Sequence, residues 1–370
     1  MDSKVTPLVA SHKALGARFT EFGGWEMPVQ YTGIIDEHLA VRRACGLFDL
    51  SHMGEVQIRG PMALEFAQEL MTNDVLKLKQ GRVQYSLLCN EMGGIIDDLL
   101  VYRHPEHVTL AVNASNTDKD LEWLQRQAAN PRYQGKVEIV NVGAERAILA
   151  VQGPLAPKAM QAVGLEVSDL PYMAFRLLGD NGELMVSRTG YTGEIGYELY
   201  LPAADATRWW DRFVDLRDDI EIRPVGLGAR DTLRLEMGYT LYGNDIDETT
   251  TPWDAGIGWA VKLDKEFIGR KALLEAQVQG PKRQLVGFVM DGRGIARPGY
   301  SVLVSGEPKG EVTSGCISPI LNKAIGLAYI DPGCTDEGSS IEIVIRGKAI
   351  AAHIASTPFA ASRVRDAVSL

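Results

Sequence analysis

Cysteine is scarce in this chain of 370 residues: four are present, Cys45, Cys89, Cys316 and Cys334, with no CxxC spacing and no adjacent histidine. That pattern offers neither a zinc site nor a disulfide framework, and the four read as small apolar residues of the interior. The six histidines form no HExxH or other ligand pair, so no metal is expected. Long hydrophobic runs are missing as well. Nothing approaches the roughly 18 apolar residues of a membrane span, and the opening MDSKVTPLVASHK lacks the apolar segment of a secretion signal. The expectation is a cytoplasmic protein with no membrane partner. Positive charge is not in excess either. The net charge of −10 argues against nucleic acid as a partner, because phosphate contacts need a basic surface.

What is present is a globular composition, 45% hydrophobic and 23% charged, in a chain long enough for two or three domains. The stretch IIDEHLAVRRAC places Ile34, Ile35, His38, Leu39 and Arg42 at helical spacing, with Gly46 positioned to end the helix. GEVQIRG alternates as a strand, and Gly60-Pro61 then opens the helix PMALEFAQELM with Pro61 at its first position. AILAVQGPLAPKAMQAV repeats that order of strand, Gly-Pro and helix. Between them RVQYSLLCN, GGIIDDLLVYR and HVTLAVN read as three antiparallel strands. A helix follows from Asn116-Thr117, where Thr117 and Asp120 have the spacing of a capping box. Past about residue 280 the pattern changes to short strands, QLVGFVM, GYSVLV, GEVTSG, AIGLAYI, SIEIVI and KAIAAHI, which suit a separate small β-barrel or sandwich. FIGRKALLEAQVQGPKR is the expected join. The fold class is α+β.

Chemistry is hinted at in few places. GGIIDDLLVYR puts Asp97 and Asp98 in the middle of an apolar strand, on opposite faces. A carboxylate there needs a partner or a proton. Two readings stay open: a catalytic carboxylate, or a strand-end arrangement in which a bulge lets both acids reach backbone N–H groups, the commoner finding. SRTGYTGEIGYELY spaces Gly190, Gly193 and Gly196 three apart, as for a backbone passing close to a planar ligand or for tight turns, and it lacks the order of a dinucleotide or phosphate loop. Glu198 lies between two tyrosines; its two oxygens could match adjacent ring N–H donors or pair with an arginine. Arg230 sits at a helix start and could equally pair with Asp231 or Glu236. Ser51-His52-Met53 is not a triad, because strand neighbours point to opposite faces.

Taken together, TPL at Thr6, FGGWEMPVQY at Phe22, FDLSHMGE at Phe48, YSLLCNEMGGIIDDLLVY at Tyr85, VNASN at Val112, VQGP at Val151, SRTGYTGEIGYEL at Ser187, GLGARDTLRLE at Gly226, LYGNDIDETTTP at Leu241, FIGRKAL at Phe267, IARPGY at Ile295 and TSG at Thr313 resemble the T-protein family of the glycine cleavage system over nearly the whole chain. The resemblance implies three domains in a clover-leaf around a central folate cavity. The boundaries expected are 1–50 with 137–265 for a discontinuous α+β folate-binding domain, 51–136 for an inserted α+β domain carrying the Asp98 strand, and 280–370 for a C-terminal β-barrel. It implies transfer of the aminomethyl carbon from the dihydrolipoyl arm of lipoylated H-protein to tetrahydrofolate, releasing ammonia and giving 5,10-methylenetetrahydrofolate, by a monomer that needs no metal.

By the same resemblance Asp98 matches the catalytic aspartate beside the reacting edge of folate, with Asp97 behind it. Glu198 matches the residue that pairs with the pterin N–H donors. Tyr85, Met53, Tyr191 and Tyr239 match positions lining the folate pocket, Arg230 one near the ligand's polar end, and Asn113 one near the cavity. Arg365 is the nearest match to a basic residue of the C-terminal tail; the family's usual PFY reads Pro358-Phe359-Ala360 here. Alternatives are a stand-alone folate-dependent demethylase or methyltransferase and a folate-binding protein without turnover. The KGCxxGQE signature of the branch serving iron–sulfur assembly is replaced by FIGRKAL.

Overall fold

The computed structural model of the chain describes residues 3–180, 182–366 and 368. Its architecture is mixed α+β, with a six-stranded sheet, a five-stranded sheet, a three-stranded sheet near the N-terminus and a closed six-stranded barrel. The six-stranded sheet runs in the order Phe175–Leu178, Leu184–Ser187, Gly196–Pro202, Arg146–Gln152, Cys45–Asp49 and Ile222–Pro224. All pairs are antiparallel except the last, where Ile222 to Pro224 lie parallel to Cys45 to Leu47.

Alternation assigns its two faces. Leu149, Val151, Leu199 and Leu201 pack under helices Ala156–Ala162 and Ala206–Val214, with Met160, Trp210 and Phe213 among the covering side chains. Ile148, Ala150 and Tyr200 face the other way and share a core with Tyr102 of the five-stranded sheet and with Ala229 and Leu233 of helix Leu227–Glu236. Burying one such Leu or Phe side chain contributes on the order of 1.5–3 kcal/mol, so this shared core is a strong tie between the sheets.

The five-stranded sheet is inserted in sequence between the first two strands of the other. Its order is Val83–Cys89, Ile95–Arg103, His107–Val112, Gly54–Arg59 and Glu138–Asn141, antiparallel throughout. Helices Ala63–Leu70 and Thr117–Ala128 cover one face through Phe66, Trp123 and Leu124, packed on Val56, Leu99, Val101 and Leu110. Asp97 has the parity of that helix-covered face, and Asp98 that of the face carrying Leu100 and Tyr102.

The barrel runs in the order Gln284–Met290, Lys323–Ile330, Glu307–Ser318, Ser301–Val304, Ser340–Ile345 and Lys348–Ala355, the last pairing with the first. Helix Arg270–Gln279 precedes it, within the expected join. It docks on helix Leu227–Glu236 through Leu235, which packs on Ile325 and Leu327, through Arg234 donating to Ser314 Oγ at 2.8 Å, and through Ser318 donating to Glu236 at 2.5 Å. Beyond the barrel the chain returns: Phe359 N–H donates to the Glu236 carbonyl and Arg363 N–H to the Gly193 carbonyl, each at 2.7 Å. Among the described residues no helix is long and apolar enough to cross a membrane.

Three local expectations differ. The helix at Ile34–Arg43 ends before Gly46, which lies inside strand Cys45–Asp49. A Cβ there would meet Val225 at 2.8 Å and Val41 closer still, so Gly46 is a packing residue and not a helix stop. Pro61 precedes Met62, the N-cap of Ala63–Leu70, so it shapes the turn and not the first helical position. The capping box at Thr117 does not form. No side chain caps that helix, the Thr117 hydroxyl donates back to the Asn113 and Ala114 carbonyls, and Asp120 turns inward. Both Gly-Pro turns, by contrast, depend on their glycines: Gly60 and Gly153 have φ of +104° and +130°, and a Cβ on either would strike a backbone carbonyl.

Candidate active site

Strand Ile95–Arg103 delivers its two acids to different neighbours. The pairing slips opposite them, Leu88 facing Asp97 while Cys89 faces Ile95, so the strand carries a bulge of the kind that re-aims side chains. Asp97, fully buried, accepts from the Asn113 N–H at 3.1 Å, from Asn113 Nδ2 at 2.8 Å and from Asn116 Nδ2 at 2.5 Å. Asp98 is half-buried on the other face. Its Oδ2 accepts from the Tyr85 hydroxyl at 3.0 Å and its Oδ1 from Asn113 Nδ2 at 3.0 Å. Tyr85 reaches it because Leu87 lies opposite Asp98 in the register, which makes Tyr85 a diagonal neighbour on the same face.

Burial, and next the Asp97 carboxylate, push Asp98 up to about 7, against the pull of Tyr85 and Asn113. Burial also raises Asp97, with Asp120 and then the two asparagines opposing. Asp98 thus has the property a proton-exchanging group needs near neutral pH. The bulge reading of the pair describes Asp97, which takes the Asn113 backbone N–H; Asp98 is held chiefly by the Tyr85 and Asn113 side chains.

A second set of candidates gathers around Arg230. Its guanidinium lies 4.9 Å over the Tyr191 ring and 3.8 Å from Met53 Sδ, a weak acceptor. Neither carboxylate considered for it is available, since Asp231 pairs with Arg234 at 2.8 Å and Glu236 with Arg42 at 2.8 Å. Burial lowers Arg230, and Tyr191 and Glu198 oppose that by their charge. The same cation helps burial hold His52 down to about 4, so that imidazole is neutral.

Glu198 is buried at 7% exposure. Its Oε2 accepts from the Thr189 hydroxyl at 2.5 Å and from Tyr200 at 3.4 Å, while Oε1 accepts no hydrogen bond among the described residues. Burial raises its pKa, with Thr189 and Arg230 opposing. It makes no salt bridge among the described residues, so the arginine-pairing alternative does not hold. Tyr191 stacks on Tyr239 at 5.5 Å and donates to the Thr240 carbonyl. Arg365 is exposed, with its guanidinium 5.7 Å from the Tyr172 ring, and Tyr172 feels the charges of both Arg365 and Glu198.

The fold therefore brings Asp98, Tyr85 and Asn113 into one group, and Met53, Arg230, Tyr191 and Tyr239 into another linked to Glu198. The negative field of Asp98 at Tyr191 joins the two groups. Arg365 approaches the second group only through Tyr172. The glycines of SRTGYTGEIGYELY serve packing: Cβ atoms at Gly190 and Gly196 would strike Gln152, and one at Gly193, where φ is +82°, would strike Met237.

Sequence reasoning missed Trp259, whose ring stacks on Tyr85 at 5.2 Å while remaining 61% exposed. It also missed Thr189, Tyr172 and Asp120. Thr189 stands in the quoted SRTGYTGEIGYEL stretch, where a hydroxyl sharing a glycine-rich turn with a buried acid was the available signal; Trp259 and Tyr172 have no local pattern around them.

Residues 8–265 match the family described as the GCVT N-terminal domain, and residues 283–360 the glycine cleavage T-protein C-terminal barrel domain. The chain is 49% identical over 360 residues to an aminomethyltransferase of Halothermothrix orenii, covering 96% of this chain and 99% of that one. It is 48% identical over 364 residues to an aminomethyltransferase of Symbiobacterium thermophilum, covering 96% and 97%. Its fold superposes on the crystal structure of glycine cleavage system aminomethyltransferase T from Bartonella henselae with a TM-score of 0.92, at 36% identity over 97% of this chain and 99% of that one.

Proposed function

The chain belongs to the glycine cleavage T-protein family, and from that membership we propose that it is an aminomethyltransferase acting on tetrahydrofolate and the aminomethylated dihydrolipoyl arm of H-protein, with Asp98 as its reacting carboxylate. The observation that carries the reading is the state of Asp98. It is a half-buried acid, pushed up to about 7, whose partners Tyr85 and Asn113 fix both oxygens. The neighbouring group holds Glu198, a second buried acid with one unengaged oxygen.

In the reaction the carbon–sulfur and the carbon–amine bonds of the aminomethyl thioether both break, the carbon is bonded to the two reacting nitrogens of tetrahydrofolate, and the two N–H protons replaced leave on the amine, as ammonia, and on the thiol. Asp98 accepts hydrogen bonds from the substrate amines, receives a proton as the carbon is captured, and stabilises the cationic iminium-like carbon with its charge. Partial exclusion of water strengthens that field. Glu198 is assigned to the paired N–H donors of the pterin, a geometry that its open Oε1 supports. Met53, Tyr191 and Tyr239 supply apolar and aromatic walls, Asn113 holds the Asp98 carboxyl, Arg230 lies near the polar end of the substrate and Arg365 is the basic residue of the C-terminal tail that approaches it. The domain proposal is 1–50 with 142–265, 51–141 and 280–370; the boundary expected at 136 moves to 141 because strand Glu138–Asn141 pairs with Gly54–Arg59 in the inserted sheet.

The test is ammonia release from aminomethylated H-protein and tetrahydrofolate. Asp98→Asn is expected to stop it while folate still binds. Methylated small donors yielding 5-methyltetrahydrofolate without H-protein would favour a demethylase instead.

A further inference from the structure

Asp120 is a carboxyl without a donor. It sits in the first turn of helix Thr117–Ala128, is 0% exposed, and neither oxygen receives a hydrogen bond from any N–H or O–H group of the described residues. A buried ionised carboxylate left in that state is among the least favourable arrangements a fold can contain. The group in hydrogen-bonding contact with it is the carboxyl of Asp97. Two carboxyls in such contact cannot both be charged, and one must hold a proton that the other accepts.

The donors decide which. Asp97 already accepts from Asn113 N–H, Asn113 Nδ2 and Asn116 Nδ2, an environment suited to the anion. Asp120 has no such support. Among the described residues no cation is turned toward it: Lys119, its neighbour on the helix, directs its ammonium to the Tyr242 hydroxyl at 2.7 Å and to Glu248 at 3.3 Å, and Tyr242 in turn donates to the Ile95 carbonyl. The remaining titratable groups around the pair are Asp98 and, beyond it, Tyr85 and Tyr191.

We infer that Asp120 is held as a neutral acid that donates its proton to Asp97, and that it is a positioning residue for Asp98. By keeping Asp97 ionised it fixes a negative charge directly behind Asp98, and Asn113, which donates to both acids, couples the two. That charge adds to burial in keeping Asp98 protonatable near neutral pH, as exchange with an amine requires. The inference rests on the assignment of Asp98 above. It is consistent with the large upward displacement of Asp120, to about 11, caused by burial and then by Asp97.

The experiment is carbon NMR of the full chain with its aspartate carboxyls isotopically labelled, titrated from about pH 5 to about pH 9, with Asp98→Asn and Asp120→Asn identifying the two signals. A carboxyl signal in the protonated position throughout that range is expected in the wild type and in Asp98→Asn, and its disappearance is expected in Asp120→Asn. The amide of Asp120→Asn donates to Asp97 in place of the acid, so the Asp98 midpoint should stay where it is. In Asp120→Ala the midpoint should fall by about half a unit or more, because Asp97 without that donor takes up a proton and ceases to repel the charge on Asp98.

Absence of the protonated signal in the wild type, or a fall in the Asp98 midpoint in Asp120→Asn, would mean that Asp120 is ionised and would overturn the inference. An Asp98 midpoint equal in all three proteins, with only the melting temperature of Asp120→Ala lowered, would overturn the positioning role. If Asp120→Ala does not fold, the wild type and Asp120→Asn still decide the protonation state. None of these signals needs turnover, so failure of aminomethyl transfer would count against the proposed function separately.

Discussion

The Tyr85 hydroxyl donates to Asp98 Oδ2 at 3.0 Å while its ring stacks on Trp259 at 5.2 Å. One side chain thus holds an oxygen of the acid and forms part of the exposed aromatic surface beside it. Tyr85→Phe keeps the stack and removes the donor. Loss of such a bond costs about 1–2 kcal/mol, or roughly tenfold in kcat at neutral pH. Because the bond lowers the Asp98 pKa, its removal should also move the acidic limb of the rate profile to higher pH. Steady-state kinetics with aminomethylated H-protein over a pH series checks both effects, and an unmoved limb would count against the contact.

The wild-type profile should rise through about pH 7 as Asp98 ionises. Stability has the opposite dependence. The folded acid binds its proton more tightly than the unfolded one, so this group's contribution falls as pH rises from 3.8 toward about 7 and is level beyond. Asp98→Asn should therefore be more stable than the wild type by about 1–2 kcal/mol at roughly pH 8, a figure held below the full shift because the group is partly open to water. Urea unfolding at two pH values measures the difference.

Glu198→Gln replaces one carboxylate oxygen with an amide that can only donate. Tetrahydrofolate affinity should fall by about 1–3 kcal/mol, with Thr189 still able to donate to the remaining oxygen. Calorimetric titration reads this directly; unchanged affinity would remove Glu198 from the substrate contacts.

Arg42 lies at the centre of a buried ion network. It donates to Glu236 at 2.8 Å, to Glu194 at 3.0 Å and to the Thr192 carbonyl at 2.6 Å, and Arg363 of the returning tail joins at Glu194. Arg42→Met leaves two buried acids without their main cation and should destabilise the protein by about 3–5 kcal/mol in chemical unfolding. Burial alone would raise Glu236, but His38, Ser318 and Arg42 bring it down to about 2. Its contribution is therefore complete above 4.5 and lost as pH falls toward about 2, a loss that Arg42→Met should show at higher pH.

Strand positions were legible because alternation and turn residues act locally: five of the six barrel strands follow the stretches quoted for them, as do the three strands around Asp98, while Glu307–Ser318 runs three residues past GEVTSG at each end. The site residues were legible only as a set of ordered motifs, since no single spacing separates Asp98 from Asp97 or frees Arg230 from a salt bridge. That freedom depends on Arg234 taking Asp231 and on Arg42, 194 positions away in sequence, taking Glu236. Asp120 misled for the same reason. Three residues after a threonine, it has the local signature of a helix cap, and only the tertiary contact with Asp97 gives it another role.

Strand Cys45–Asp49 has Arg146–Gln152 on one side and Ile222–Pro224 on the other, and the whole five-stranded sheet is encoded between it and the first of these partners. On the ribosome the later-encoded sheet can close first, while this apolar strand waits with both edges unpaired until roughly a hundred further residues have been synthesised. A nascent chain paused in that interval is the form of this protein most in need of a chaperone.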